Sequence, residues 1–389
     1  MRFDAIIDRR NTHSVKWDMM EKLYGVPADQ GLSMWVADMD FRAPDCIQDA
    51  VQGMRDHGVY GYYGDDASYR AAICWWMQTR HGWTVDPQAI LTTHGLVNGT
   101  AMCVDTFTAP GDGVLLFTPV YHAFAKVIRA NGRRVVESPL VIRDGRYEMD
   151  FDHAAAVVQA QGAKMVILCS PHNPGGRVWT RAELQALADF AAAQGLILVS
   201  DEIHHDLVFA PARHIPMTDI TGNDGCIMMT ASTKTFNIAG AHSGNVIIHD
   251  AAQRAQFEAR MMGLGLSPNS FGLNMAEAAY SPAGAAWVDD CVAYLGENAR
   301  VFDAAVNAIP GVASMRLEAT YLGWVDFAGT GMTPAEVRKR VQDDAQIAPN
   351  HGETFGSGGE SFLRFNLAMP RAQVIEAGER LARAFGDLQ

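Results

Sequence analysis

The sequence predicts an α/β protein with a mostly parallel sheet between helices, followed by a smaller α+β unit. Three observations predict it. Near-continuous apolar runs recur through the middle of the chain: VLLFTP (114–119), MVILCS (165–170), LILVSDE (196–202) and CIMMTAS (226–232). Helical patterns separate them, around 123–131 and 180–195. After about residue 283 the texture changes to TYLGWVDFAG (320–329) and SFLRFNLA (361–368), set among helical patterns at 333–345 and 371–385. Apolar strands alternating with helices imply a sheet covered on both faces, whereas the later runs read as half-exposed strands of a second sheet.

Each element has its own signals. Residues 44–57 and 68–81 read as helices, and an apolar helix over 101–107 stops at the turn APGDG. Thr180 and Glu183 form a capping box that starts a helix ending at Gly195. NVIIH (245–249) is a further strand whose direction the sequence does not assign, and LSMWVADMDF (32–41) has no clear period of either kind. The division expected is a segment 1–43 packing with the small domain, a large domain 44–282, and a small α+β domain 283–389.

Bulk properties narrow the function. The chain has 389 residues, 48% hydrophobic and 19% charged, which is ordinary globular material, and its formal net charge of −13 argues against nucleic acid as a partner. No apolar run approaches the ~20 residues that span a bilayer. The start, MRFDAIIDRRNTHS, has no apolar signal core, and the six cysteines are scattered with no CxxC, so a cytoplasmic protein with reduced thiols is expected.

In open α/β sheets, ligands sit beyond the carboxyl ends of the strands. There the chain puts Asn173 in PHNPGG, Asp201 in VSDEIHHD and Lys234 in ASTKTFN. Alone, each has a bland reading as turn, helix cap or surface lysine. Three successive strands delivering an amide, a carboxylate and an amine to one rim suit pyridoxal phosphate chemistry. A lysine bonds the cofactor aldehyde as a Schiff base, and a carboxylate keeps the ring nitrogen protonated so that the ring accepts electrons. The amide would donate to the ring's phenolate oxygen. THGLVNGT (93–100), a glycine-bearing turn entering a helix, offers backbone N–H groups to the phosphate, with Ser232 as a hydroxyl donor. Tyr121, just past a strand, offers an aromatic face for the ring. Arg364, in an apolar strand, needs a fixed anionic partner, either a structural carboxylate or a substrate's, and an amino acid offers its α-carboxylate.

Taken with MWVADMDF (34–41), HGVYGYYGD (57–65), TFTAPGDGVLLFTPVYHAF (106–124), CSPHNPGG (169–176), SDEIHHDLVF (200–209), ASTKTFNIAG (231–240) and ETFGSGGESFLRFNLAMPR (353–371), the chain resembles fold-type I pyridoxal-phosphate enzymes of the class I/II aminotransferase superfamily. Within it the chain is most similar to the cystathionine β-lyase (C–S lyase) branch. The resemblance implies an aspartate aminotransferase-like, PLP-dependent transferase-like fold and a homodimer with shared sites. It implies that Lys234 carries the cofactor, Asp201 pairs with its ring nitrogen, Asn173 bonds its phenolic oxygen with His204 nearby, and Tyr121 stacks on it. Gly95, Leu96 and Ser232 would hold the phosphate, with Tyr62 reaching in from a neighbouring subunit, while Arg364, Trp35 and Ala37 would form the substrate pocket. Two departures stand out. Gly240–Ala241–His242 replaces the Gly-Leu-Gln usual in the branch, and Asn98 stands where a proline is expected.

The activity implied is α,β-elimination on a sulfur amino acid, giving pyruvate, ammonia and a thiol; the alternative is amino transfer to a 2-oxo acid by the same residues. A non-catalytic ligand sensor fits less well, because only some forty residues precede the fold. No GxGxxG follows a strand, which argues against a nicotinamide enzyme, and the spacing in GAHSG (240–244) is wrong for a serine-hydrolase elbow. His204 and His205 are adjacent and have no suitably spaced third ligand in sequence, so no metal is expected.

Overall fold

The computed structural model describes residues 2–388. Its central sheet has seven strands in the order Ile90–Thr93, Gly244–Ile247, Ile227–Thr230, Ile197–Asp201, Ala163–Cys169, Gly113–Thr118 and Arg134–Pro139. Gly244–Ile247 runs antiparallel to both of its neighbours, and the other pairings are parallel. Side chains divide by strict alternation. Met165, Ile167 and Cys169 enter the core on one face, Val166 and Leu168 the core on the other. A strand buried on both faces has no polar side, which is why these segments read as unbroken apolar runs.

The helical expectations at 44–57, 68–81 and 123–131 appear as Asp45–His57, Ala67–His81 and His122–Ala130. The capping box of Thr180 and Glu183 starts Arg181–Gln194, and Gly195 ends it with φ of 63°. Residues 371–385 form Arg371–Ala384, whereas the helix expected over 333–345 is Pro334–Lys339 followed by a wider π-type turn, Arg340–Asp344.

Some expectations are corrected. The helix expected to begin at Ala101 begins at Leu96, directly after the strand Ile90–Thr93, so the turn is only His94–Gly95. The strands 320–329 and 361–368, expected to be half-exposed, are Leu322–Asp326 and Phe362–Asn366 and are almost wholly buried. Trp324 and Phe362 pack toward the large sheet's core; Val325, Leu363 and Phe365 pack toward a second core with the helices Pro282–Val306 and Arg371–Ala384. The stretch with no clear period contains a short strand, Leu32–Met34, paired in parallel with Ile347–His351. These two, with Phe362–Asn366, Leu322–Asp326 and Ala313–Ser314, make the second, five-stranded sheet.

The residues that follow, Trp35–Phe41, bridge the two sheets. Asn366 donates to the carbonyls of Val36 and Asp38 from one side. Asn237, three residues beyond Lys234, donates to Met39 and Phe41 carbonyls and accepts from the Met39 N–H at 2.8 Å. Side-chain amides satisfy this backbone where no ladder is available. Underneath, Lys16 is fully buried and lies 2.7 Å from Asp40, which Arg9 also engages at 2.8 Å.

Gly244 shows how closely the sheet approaches the turn before Leu96. A Cβ there would lie 2.7 Å from Leu96 Cδ2 and 3.1 Å from the backbone of Gly95 and Leu96. Gly244→Ala is therefore expected to shift the start of that helix and to cost roughly 1–3 kcal/mol, the range for overpacking. Urea unfolding checks this; an unchanged midpoint would contradict the close approach.

Candidate active site

Three parallel strands end at one rim. Ala163–Cys169 runs out to Asn173, Ile197–Asp201 terminates on its aspartate, and Ile227–Thr230 leads into the single helical turn Ser232–Thr235 that carries Lys234. Together they line a cavity of about 260 Å³. Eight of the twelve residues singled out by sequence line it: Ala37, Gly95, Leu96, Tyr121, Asn173, Asp201, His204 and Lys234.

The other four are placed differently. Arg364 is buried and donates to Asn173 Oδ1 at 2.9 Å, to the Trp35 carbonyl at 2.8 Å and to Asn350 Oδ1, so it is locked against the cavity wall. Trp35 contributes that carbonyl, while its indole donates to Lys16 O at 2.9 Å. Ser232 is buried, and its hydroxyl has no partner. Tyr62 is fully exposed and does not line the cavity of its own chain.

Electrostatics at the rim follow from burial. Lys234 Nζ donates to the Ala37 carbonyl at 2.6 Å. Desolvation lowers its pKa to about 8, opposed by Asp38 and Asp201 and aided by the nearby Arg364. Burial pushes the Asp201 carboxyl up to about 7, although the Ile203 N–H donates to it at 3.1 Å. His204 is held well below its ordinary value by burial, with Lys234 and Arg364 adding repulsion, so it is neutral. Arg364 falls to about 10 by burial. Buried polar groups ordinarily find partners. Here Ser232 Oγ, His204 Nδ1 and Arg364 Nε have none.

The phosphate-cradle expectation has a backbone counterpart. Gly95 has φ of 82° and precedes Leu96–Phe107, a twelve-residue helix with no side-chain cap, so its first N–H groups are available to an anion. Asn98, in place of the expected proline, accepts from the His94 N–H at 3.2 Å and steadies the turn.

Sequence reasoning missed several residues. Tyr321 donates to Ala37 O at 3.0 Å, the same carbonyl that holds Lys234, and its ring centre lies 6.0 Å from that of His204. Its position in a strand read as half-exposed hid it. Cys169, Thr233 and Ala239 also line the cavity, as does His242, singled out in the sequence only as a departure from the branch pattern. So does His94, in the phosphate turn.

Behind the site, His205 and Asp206 meet His81, a third group that sequence spacing did not reveal. Ligand atoms of the three lie within 4.8 Å of one another. Asp206 accepts from Trp76 Nε1 at 3.0 Å and Thr235 Oγ1 at 2.8 Å, and His81 Nε2 lies 2.9 Å away. His205 first, and His81 after it, hold Asp206 well below the usual carboxylate range despite its burial. Asp206 ties the residue after Lys234 to the helix Ala67–His81.

Comparison with known proteins decides the family. Residues 37–381 match aminotransferase class I and II. The chain belongs to that family. It is similar to cystathionine β-lyase PatB of Bacillus subtilis (strain 168), 38% identical over 388 residues, covering 99% of this chain and all of the relative. Among solved structures it is similar to cystalysin from Treponema denticola, which contains a pyridoxal 5′-phosphate cofactor (TM-score 0.94, 35% identity, covering 100% and 99% of the two chains). It is also similar to the PLP-bound C–S lyase of Staphylococcus hominis (TM-score 0.90, 28% identity, covering 99% of each). The fold is thus the aspartate aminotransferase-like one of this family.

The Asp206 anchor is open to an isosteric test. Thr235→Val removes the hydroxyl donor to a buried carboxylate and is expected to cost about 1.5–3 kcal/mol. Urea unfolding measures it, and a loss below about 0.5 kcal/mol would contradict the anchoring role.

Proposed function

We propose that this protein is a pyridoxal-phosphate-dependent C–S β-lyase that cleaves a sulfur amino acid of the cystathionine or cysteine-conjugate type to pyruvate, ammonia and a thiol. One observation carries the reading. The end-to-end likeness to a cystathionine β-lyase coincides with one cavity that joins Lys234, Asp201, Asn173 and Tyr121 and has Arg364 locked at its wall. The residues fit the cofactor: an uncapped helix start and a partnerless buried hydroxyl suit a phosphate, and a buried carboxylate suits a ring nitrogen.

When bound, pyridoxal phosphate supplies an aldehyde that captures amines and a ring that accepts the electron pair left at Cα. Lys234 would hold the aldehyde and, once displaced by the substrate's amine, take the proton from Cα. A pKa of about 8 lets an amine serve as a base near neutrality. Asp201 would face the ring nitrogen, and a cationic partner there would favour its ionised form. Asn173 would donate to the phenolic oxygen beside His204, which is kept neutral by burial. Tyr121 would stack on the ring, while Gly95, Leu96 and Ser232 would hold the phosphate. Arg364 would take the substrate carboxylate, with Trp35 and Ala37 shaping that end. With the proton gone from Cα, the C–S bond at Cβ breaks, sulfur leaves as a thiolate that takes up a proton, and the remaining enamine hydrolyses to pyruvate and ammonia.

The active unit is proposed to be a cytoplasmic homodimer. Val59, Tyr60 and Tyr62 form an exposed apolar stretch that supports contact with a second copy, with Tyr62 serving that copy's phosphate. Six free cysteines support a reducing compartment. Among the described residues no helix is long and apolar enough to cross a membrane. We assign 44–282 to cofactor binding and 1–43 with 283–389 to a unit bearing Arg364.

The test is pyruvate release from cystathionine by purified protein without any 2-oxo acid. Release is expected, and its abolition is expected in Lys234→Ala. Turnover only when a 2-oxo acid is added would instead indicate amino transfer, and an active Lys234→Ala variant would refute the lysine's role.

A further inference from the structure

Imidazoles and carboxylates gather beneath the lysine turn, and the proposed reaction uses none of them. They are His81 at the end of helix Ala67–His81, then Glu202, His205 and Asp206 just after the strand Ile197–Asp201, and His214. Ring centres lie 4.4 Å apart for His81 and His205, 5.7 Å for His81 and His214, and 6.0 Å for His205 and His214. Glu202 is spoken for. It accepts from Ser200 Oγ and from the Met217 N–H, each at 2.9 Å, and lies 2.6 Å from His214 Nε2.

One atom stands apart. His205 Nδ1 lies 2.6 Å from the Glu202 carbonyl, an acceptor, so this nitrogen carries a proton and the neutral ring keeps its lone pair on Nε2. That Nε2 is buried on a residue 2% exposed and has no hydrogen-bond partner among the described residues. It lies 3.2 Å from Asp206 Oδ2 without hydrogen-bond geometry. A proton there meets no aligned acceptor, which is unusual for a buried nitrogen. A lone pair there would suit a metal ion.

We propose that His81 Nε2, His205 Nε2 and one Asp206 oxygen form a site for a zinc-type divalent cation, which would fasten helix Ala67–His81 to the lysine turn. The sequence spacing offers no third ligand beside His205 and Asp206, and the fold supplies it from 124 positions upstream of His205. Two imidazoles and a carboxylate suit Zn2+, whereas Mg2+ and Ca2+ take oxygen donors. At zinc bond lengths of about 2.0–2.2 Å, tetrahedral donors sit about 3.3 Å from one another. The spacings here are 2.9 Å from His81 Nε2 to Asp206 Oδ1 and 3.2 Å from His205 Nε2 to Oδ2, so small shifts of the rings admit the ion. Outer contacts already orient the ligands, with the Glu202 carbonyl on His205, and Trp76 and Thr235 on Asp206. The His81 side chain, 7% exposed at the helix end, gives the ion an approach, and water completes the coordination. Coordination replaces any proton on the two Nε2 atoms, and that proton passes to solvent.

The experiment titrates the full chain, loaded with pyridoxal phosphate and stripped of metal by a chelator, with Zn2+ against a competing indicator. One Zn2+ per chain is expected, with a rise in the thermal unfolding midpoint as the site fills. His205→Asn keeps an N–H for the Glu202 carbonyl but lacks Nε2, and His81→Gln keeps an N–H for Asp206. Each should weaken zinc binding by at least about tenfold and lose the thermal shift. No stoichiometric uptake by the wild type, or equal affinity in the two variants, would overturn the site. Zinc-edge X-ray absorption of the wild type decides even if a variant fails to fold. Two imidazoles with oxygen donors are expected, and a thiolate sulfur would place the metal on a cysteine and refute the proposal.

Discussion

An ammonium group moved from water into protein loses hydration that few partners replace. Lys234 sits under that constraint. It has one hydrogen-bond partner, a backbone carbonyl, while the carboxylates nearest to it electrostatically, Asp38 and Asp201, only partly offset the loss. The amine is therefore held close to the point at which it sheds its proton. The same dry setting raises Asp201 and keeps His204 neutral. Desolvation thus prepares three groups at once, Asp201 and His204 buried and Lys234 half-buried at the cavity. None is fully satisfied by the protein, and each would gain by meeting a ligand that carries an aldehyde, a ring nitrogen and an acidic phenol.

Keeping these groups dry requires a roof, and the roof is irregular by necessity. Trp35–Phe41 crosses from the small sheet to the lysine turn and has no strand to pair with. Its backbone is satisfied by Asn366 from one side and Asn237 from the other, while the Ala37 carbonyl takes both Lys234 and Tyr321. The asparagine after the lysine turn and the one that ends the arginine strand therefore do related work. They hold the segment whose carbonyls fix Lys234 and Arg364, coupling the two proposed ends of the substrate site through one short stretch of chain. Asp206 secures the turn from beneath through Thr235.

Much of this was legible in the sequence because strands buried on both faces leave an unmistakable unbroken apolar run, and their ends can be read off directly. Asn173, Asp201 and Lys234 were found in that way. What escaped has physical reasons. Ile90–Thr93, with two threonines facing inward, lacks the apolar signature of its neighbours. Gly244–Ile247 gave a strand signal but no direction, since local sequence says nothing of how a strand enters a sheet. Tyr321 and Trp324 looked half-exposed because Gly323 and Asp326 broke the run, yet two cores cover that sheet. Trp35–Phe41 has no period because most of its partners are side chains distant in sequence, with one backbone bond from the Asp40 N–H to the Ala368 carbonyl. His81 meets Asp206 across 125 residues, which no local motif encodes.

The dry amine is the central claim, and its titration is the direct test. The rate at which apoprotein captures pyridoxal phosphate, followed by the visible band as a function of pH, reports the neutral fraction of Lys234. The account predicts a rise with a midpoint at about 8 and a plateau above it. A rise that continues to the ordinary lysine value of about 10.4 would contradict it, because an amine at that value would be solvated rather than held in the cavity described.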